Sequence, residues 1–383
     1  MRATRWSSIL LAAILLSACQ PALQRQTLPN PQPAAGSVEE GEQAQTPAAA
    51  SNDNLLQQTQ AIINPLTGLP VQDASLLNRR PVMVKVSNYP QYGRPHAGLS
   101  FADIVFDYYI GSGTNRFLAV FYGQDAQQIG PVRSGRFVDA QLVNMYNGVL
   151  AYGGADEDTD AELVAQLGKY AISNLEAPEP FFVGVETHSV VGVFANSAAL
   201  TQFVNRQGLD NTKPDLPGMH FSEQVPAHGQ YAEQVNILFN YYNRAEWRYD
   251  ASSGKYLRWI EFFEEGETDD FQMIPLVDRV TGQQLAFSNV VIIFAEYTEL
   301  APSRHLIDIW GNDKGKTAYL FRDGQMFKGS WRAQHDTDPM QFFNDEGQAM
   351  ALKPGNSWIV IAGVNSTFKE ISPRMWELFF FLP

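Results

Sequence analysis

Between Arg79 and Asn88 the sequence RRPVMVKVSN sets β-branched residues at alternating positions, which predicts a strand. ADIVFDYYI (Ala102–Ile110) and RFLAVFYG (Arg116–Gly123) are nearly continuous apolar runs on either side of the turn-like GSGTN. That pattern suits strands buried on both faces. SGRFVDAQLVNMY (Ser134–Tyr146) instead spaces Phe137, Leu142 and Val143 at roughly helical intervals, and GVLAYGG follows as a short strand. The order predicts strand, helix, strand, and with them a parallel βαβ unit. A second helix is expected over Asp158–Gly168, its first-turn acids favourable to the helix dipole. A third lies within Ser189–Gly208, with Asn196 and Ser197 as cap candidates and Gly208 as terminator.

Pro and Gly cluster in residues 212–230, and the pattern then changes. AEWRYDASSGKYLRWIE reads as two strands around Ser253-Gly254. LAFSNVVIIFAEYTEL, HLIDIWG, KTAYLFRDGQMFKGSWRA and SWIVIAG are further strands, with Asp323-Gly324 marking a tight hairpin. The expected fold class is α/β: a mixed α/β N-terminal domain over residues 64–215, a linker over 216–229, and a mainly antiparallel β-rich domain over 230–383.

The first 63 residues read differently. Arg2 and Arg5 precede a 13-residue run without charge, Trp6–Ala18. A membrane span needs about 20 residues, so this run suits a signal-peptide core over residues 1–18. Leu16-Ser17-Ala18-Cys19 resembles a bacterial lipobox, with cleavage before Cys19 and lipid on its thiol. Cys19 is the only cysteine, which excludes intrachain disulfides, multi-cysteine metal sites and thiol catalysis in the mature body. Gln20 follows it rather than Asp, so an outer-membrane location stays open for a Gram-negative host. Residues 19–63 read as a tether. Of 46 aromatics (24 Phe, 7 Trp and 15 Tyr), all but Trp6 lie from Tyr89 onward, so the earlier chain lacks the material of a packed core. With 27 basic against 41 acidic residues the formal charge is −14, which argues against nucleic acid as a partner.

Four segments in order, NPLTGLP, RRPVMVKVSN, RPHAGLSFADIVFDYYIGSGTNRFLAVFYG and IGPVRSGRFVDAQLVNMYNGVLAYGGAD, resemble the N-terminal domain of the YerB-like lipoproteins, the DUF3048 family. YDASSGKYLRW, VVIIFAEY, YLFRDGQMFKGSW and LKPGNSWIVI resemble its second domain, so the resemblance covers about residues 64–383. It implies a secreted or lipid-anchored bacterial protein with no assigned reaction. Glu186-Thr187-His188-Ser189 departs from a Pro-His-Asn-like segment of the family.

Arginine supplies the most distinctive candidate chemistry. Arg94 lies in RPHAGLS, Arg116 opens a strand, and Arg133 and Arg136 flank Ser134-Gly135 at an expected loop-to-helix junction. A planar guanidinium favours bidentate pairing with phosphate or carboxylate, and helix-start N–H groups accept anions. With His188 these residues are candidates for an anionic cell-envelope ligand. The plainer alternative is internal ion pairing to Asp103, Asp107 or Asp139. Asp156, Asp158 and Asp160 match the first acids of an EF-hand loop, but Ala161 and Leu167 stand where Gly and Glu are needed. They remain weak metal candidates. No HExxH, GxSxG or GxGxxG motif occurs, so no cofactor is expected. Trp247, Tyr249, Tyr256 and Trp259 could line one sheet face, as core or as a glycan platform. Two function classes follow. One is a noncatalytic, lipid-anchored binding protein. The other is an envelope glycan- or phosphopolymer-processing enzyme, which needs Asp103, Asp107, Asp156 or Glu157 to converge with Arg116 or His188.

Overall fold

The alternating run before Asn88 forms β1 (Val82–Ser87), and all six of its residues are buried. The two near-continuous runs form β2 (Ile104–Gly111) and β3 (Thr114–Phe121), paired antiparallel across the GSGTN turn. In the computed structural model, which describes residues 61–185, 191–264 and 270–382, α1 (Phe137–Met145), β4 (Val149–Tyr152), α2 (Glu157–Leu167) and β5 (Ala171–Ser173) follow. The N-terminal region ends with β6 (Phe181–Val183), β7 (Val193–Ala195) and α3 (Ser197–Arg206). Asn196 is the α3 cap, its side chain accepting from Ala199 N–H, while Ser197 is buried and bonds Asp125.

The expected parallel unit is corrected. β3 and β4 do not pair, because β1 lies between them, antiparallel to β3 and parallel to β4. The short hairpin turn fixes β3 against β2, and β1 then covers the far edge of β3. The long segment that carries α1 therefore delivers β4 to the free edge of β1. The parallel crossover is β4–α2–β5.

The C-terminal region is strand-rich. It comprises β8 (Gln230–Tyr231), β9 (Gln234–Asn240), β10 (Asn243–Asp250), β11 (Lys255–Phe262), β12 (Gln272–Pro275), β13 (Ala286–Phe287) and β14 (Asn289–Ala301). Then come β15 (Arg304–Asp308), β16 (Asn312–Arg322), β17 (Gln325–Ala333), β18 (Gln341–Phe343), β19 (Ser357–Gly363), β20 (Thr367–Ser372) and β21 (Met375–Phe379). Most of these pair antiparallel. Asp323 and Gly324 both take positive φ between β16 and β17, as a two-residue hairpin turn requires.

Two sheets carry the fold. The larger has twelve strands: ten run β18-β17-β16-β14-β19-β2-β3-β1-β4-β5, with β15 also on β14 and β8 on β17, so strands from both chain regions share one hydrogen-bonded surface. The join is parallel, β19 against β2, from Ser357↔Ile104 to Ile361↔Tyr108. β19 is buried at every position, as a central parallel strand demands. The smaller sheet runs β12-β11-β10-β9-β21-β20. Trp358 of β19 meets Trp247 of β10 and Phe287 of β13, their ring centroids 5.2 Å apart in each case. The aromatic row is thereby corrected. Trp247 and Tyr256 are fully buried core, but Trp259 pairs with Glu246 and turns to the opposite face, where Arg248 lies 4.0 Å over its ring. A step of an odd number of residues along a strand changes the face.

Candidate functional site

Strand β1 runs straight into the site. Its Lys85 is fully buried, and Nζ donates to Asp139 Oδ1 at 3.0 Å and to the Tyr108 hydroxyl. Tyr108 donates in turn to Asp139. Asp139 Oδ2 accepts the Arg136 backbone N–H at 2.7 Å, which fastens the first turn of α1. Burial holds the Lys85 ammonium down to about 7, against the pull of Asp139. Lysine in the apolar alternation VMVKVS is the signal in the sequence that a buried acid must sit opposite it.

The segment before α1 is stitched between two strands. Arg133 N–H donates to Lys85 O at 3.0 Å, Gly153 N–H to Arg133 O at 2.9 Å, and Gly135 N–H to Gly154 O at 2.9 Å. A Cβ at 135 would lie 2.5 Å from Leu163 Cδ1 and 3.1 Å from the Tyr152 ring, so a larger residue there would have to push the Leu163 side chain aside. Onto this turn two guanidinium groups converge. Arg116 Nη1 donates to Ser134 O and Arg136 Nη1 to Gly135 O, each at 2.7 Å. Arg133 adds a third positive charge. Burial first, then Arg136 and Arg133, bring Arg116 down to about 9. Burial also lowers Arg133 and Arg136. Among the described residues neither Arg116 nor Arg136 forms an ion pair, and Arg136 Nε is buried without a partner. Asp139 beneath them is already taken by Lys85, Tyr108 and a backbone N–H, and Asp156, whose charge also acts on Arg136, caps α2.

Arg94 stands apart from this cluster and takes the internal pairing that was the plainer alternative, though with Glu261. Its Nη2 pairs with Glu261 Oε1 at 2.8 Å, Nη1 donates to Glu261 O and Nε to Asn88 O. Each of its three nitrogens has a partner, and the guanidinium lies over the Tyr89 ring. A second arginine, Arg258, is wholly internal. Its Nη2 lies 3.4 Å from Asp107, and Trp358, Trp247 and Phe117 surround it at 4.1, 4.9 and 5.5 Å. Asn115 and Trp358 also donate to Asp107. Arg258 and Glu261 sit in the run YLRWIEF, where charges among aromatics mark buried partners.

The carboxylates proposed for catalysis disperse. Asp103 accepts from Asn64 and from the Tyr122 and Gly123 N–H groups, and Asp107 is held by Arg258. Asp156 caps α2 through Thr159, Asp158 pairs with Arg304, and Asp160 accepts from the Tyr152 hydroxyl. Arg304 also lies 3.7 Å from Asp156, so two aspartates of the EF-hand-like string share one arginine while Asp160 turns to Tyr152. Among the described residues no three His, Cys, Asp or Glu side chains group as a metal site. His188 and Cys19 lie outside the described residues. A cavity of about 770 Å³ opens at the other end of the β2–β3 hairpin, and none of the candidate arginines lines it.

Comparison with known proteins fits this architecture. The chain is 27% identical over 308 residues to "Putative lipoprotein YerB" of Bacillus subtilis (strain 168), covering 78% of this chain and 85% of that protein. The crystal structure of YerB protein from Bacillus subtilis superposes with a TM-score of 0.64 at 24% identity, over 79% of this chain and 96% of that one. The protein of unknown function (DUF3048) N-terminal domain matches residues 66–210, and the DUF3048 C-terminal domain matches 235–359. The chain therefore belongs to the DUF3048 family.

Proposed function

We propose that this protein is a lipid-anchored, extracytoplasmic binding protein that holds an anionic cell-envelope ligand at Arg116, Arg133, Ser134 and Arg136. The observation that carries the reading is the charge imbalance at the Ser134-Gly135 turn. Two guanidinium groups commit one N–H each to its carbonyls and keep their remaining donors, while no carboxylate of the described residues pairs with either. An anion with several oxygens, phosphate or carboxylate, complements that arrangement through charge-assisted bonds. The lipobox-like Leu16-Ser17-Ala18-Cys19 and the name of the Bacillus relative support the anchor. The dispersal of Asp103, Asp107 and Asp156 favours binding over catalysis, since acid–base chemistry needs such groups within reach of one bond.

Calorimetric titration of the full chain with glycerol-phosphate oligomers tests this. The double variant R133Q/R136Q is expected to weaken binding at least tenfold, at about 1.5 kcal/mol or more per lost charged hydrogen bond. Undiminished affinity in that variant would place the anion elsewhere.

A further inference from the structure

The two ends of the β2–β3 hairpin carry opposite chemistry. Tyr108 pairs with Arg116 at the arginine end, while Asp103 precedes β2 and Gly123 follows β3 at the other. Five residues of strand separate Asp103 from Tyr108, about 16 Å at the usual rise. At the Asp103 end, the turn from Asn64 to Asp73, the residues around Gln283 and the segment Pro354–Asn356 enclose the cavity of about 770 Å³. That volume is within the range of small-molecule sites.

Its floor is rigid. Asn64 Nδ2 donates to Asp103 Oδ1 at 3.0 Å, and Asp103 Oδ2 accepts from Tyr122 N–H at 2.7 Å and Gly123 N–H at 2.9 Å. Burial pushes the Asp103 carboxyl up to about 6. The wall is fixed as well. Gln284 Nε2 donates to Arg258 O at 2.7 Å, and Asn356 Oδ1 accepts from Ser288 N–H at 3.3 Å. At the rim Gln72, Gln124 and Gln283 stand exposed beside the apolar surfaces of Leu69 and Pro70.

Charge decides what such a cleft admits. Among the described residues its lining holds no arginine, and one lysine, Lys255, is set against three carboxylates, Asp73, Asp103 and Asp125. Arg79 neutralises Asp125 from outside, at 2.8 Å. The remainder leans acidic, which repels polyanions. The side-chain amides both donate and accept, so they match hydroxyl groups in either sense. The rim of Leu69 and Pro70 offers an apolar surface to C–H faces.

We infer that this cleft binds a neutral, hydroxyl-rich ligand of the size of a short oligosaccharide. The inference stands apart from the arginine site, since no residue is shared.

The test uses the full chain in detergent with two neutral probes, the tetramer of N-acetylglucosamine and maltotetraose, followed by saturation-transfer NMR and calorimetry. Saturable binding of at least one probe is expected. Q72A/Q283A changes only exposed rim side chains and should weaken that binding at least tenfold with an unchanged melting temperature. R136Q should leave it unchanged. The inference is overturned if neither probe binds, if binding survives Q72A/Q283A, or if R136Q reduces it equally.

Discussion

Arg94 and Arg258 on one side, and Arg116 and Arg136 on the other, show the same residue type put to two uses. The first pair is built into the junction of the two sheets, opposite Glu261 and Asp107. Each carboxylate there is buried, and aromatic rings close around both guanidinium groups. The second pair gathers around one two-residue turn, above a carboxylate that Lys85 already occupies. Shortage of acids does not explain the difference, because the chain has 41 acidic residues against 27 basic ones. An arginine that the fold needs is given a carboxylate. Arg116 and Arg136 are given none among the described residues, and the proposed anion site supplies a reason to keep them.

That contrast can be broken in several ways. The largest effect is expected from Arg258→Met, which leaves Asp107 buried without its cation and should cost about 3–5 kcal/mol in denaturant unfolding. The pair D107N/R258M should recover much of that loss, and no recovery would mean that ring packing rather than charge matters at Arg258. A smaller change follows from Lys85. Its folded value of about 7 lies below the ordinary 10.5, so its contribution to stability is present above pH 10.5 and lost as pH falls through 7. Wild-type stability should therefore rise more from about pH 7 to 9 than that of K85M, and identical slopes would remove Lys85 as the cause.

Asp103 gives the opposite sign. It is a buried carboxylate held by an amide and two backbone N–H groups, with no arginine bonded to it. Its value is raised from 3.8 to about 6, so its stabilising share is complete below pH 3.8 and lost as pH rises through 6. Denaturant midpoints should fall less steeply across that window in D103N than in the wild type. Parallel curves would show that Asp103 ionises freely in the folded state.

Local elements were legible because their signals are local. The alternation in VMVKVS, the apolar runs flanking GSGTN, the helical spacing after Ser134 and the cap at Asn196 all correspond to elements that form there. Pairings were not legible. Arg94 finds Glu261 across 167 residues, and Arg258 finds Asp107 across 151. Nothing in local spacing distinguishes Arg94 from Arg133, since both sit in Gly- and Pro-rich loops. The place of β1 between β3 and β4 was hidden for the same reason, as strand order is decided by which edges remain free. Lys85, Arg258 and Glu261 did carry a signal, each a charge set within a buried strand, but the signal names no partner.

The charge surplus at Ser134-Gly135 is tested most directly through Arg136, whose side chain forms no ion pair among the described residues. Thermal unfolding of the wild type and R136Q would be compared at low salt, each with and without glycerol-phosphate oligomers. Without the oligomer R136Q should be as stable as the wild type or more so, and the oligomer-induced rise seen in the wild type should be lost. A variant that is markedly destabilised alone, yet raised by the oligomer as much as the wild type, would contradict a functional role for the surplus charge.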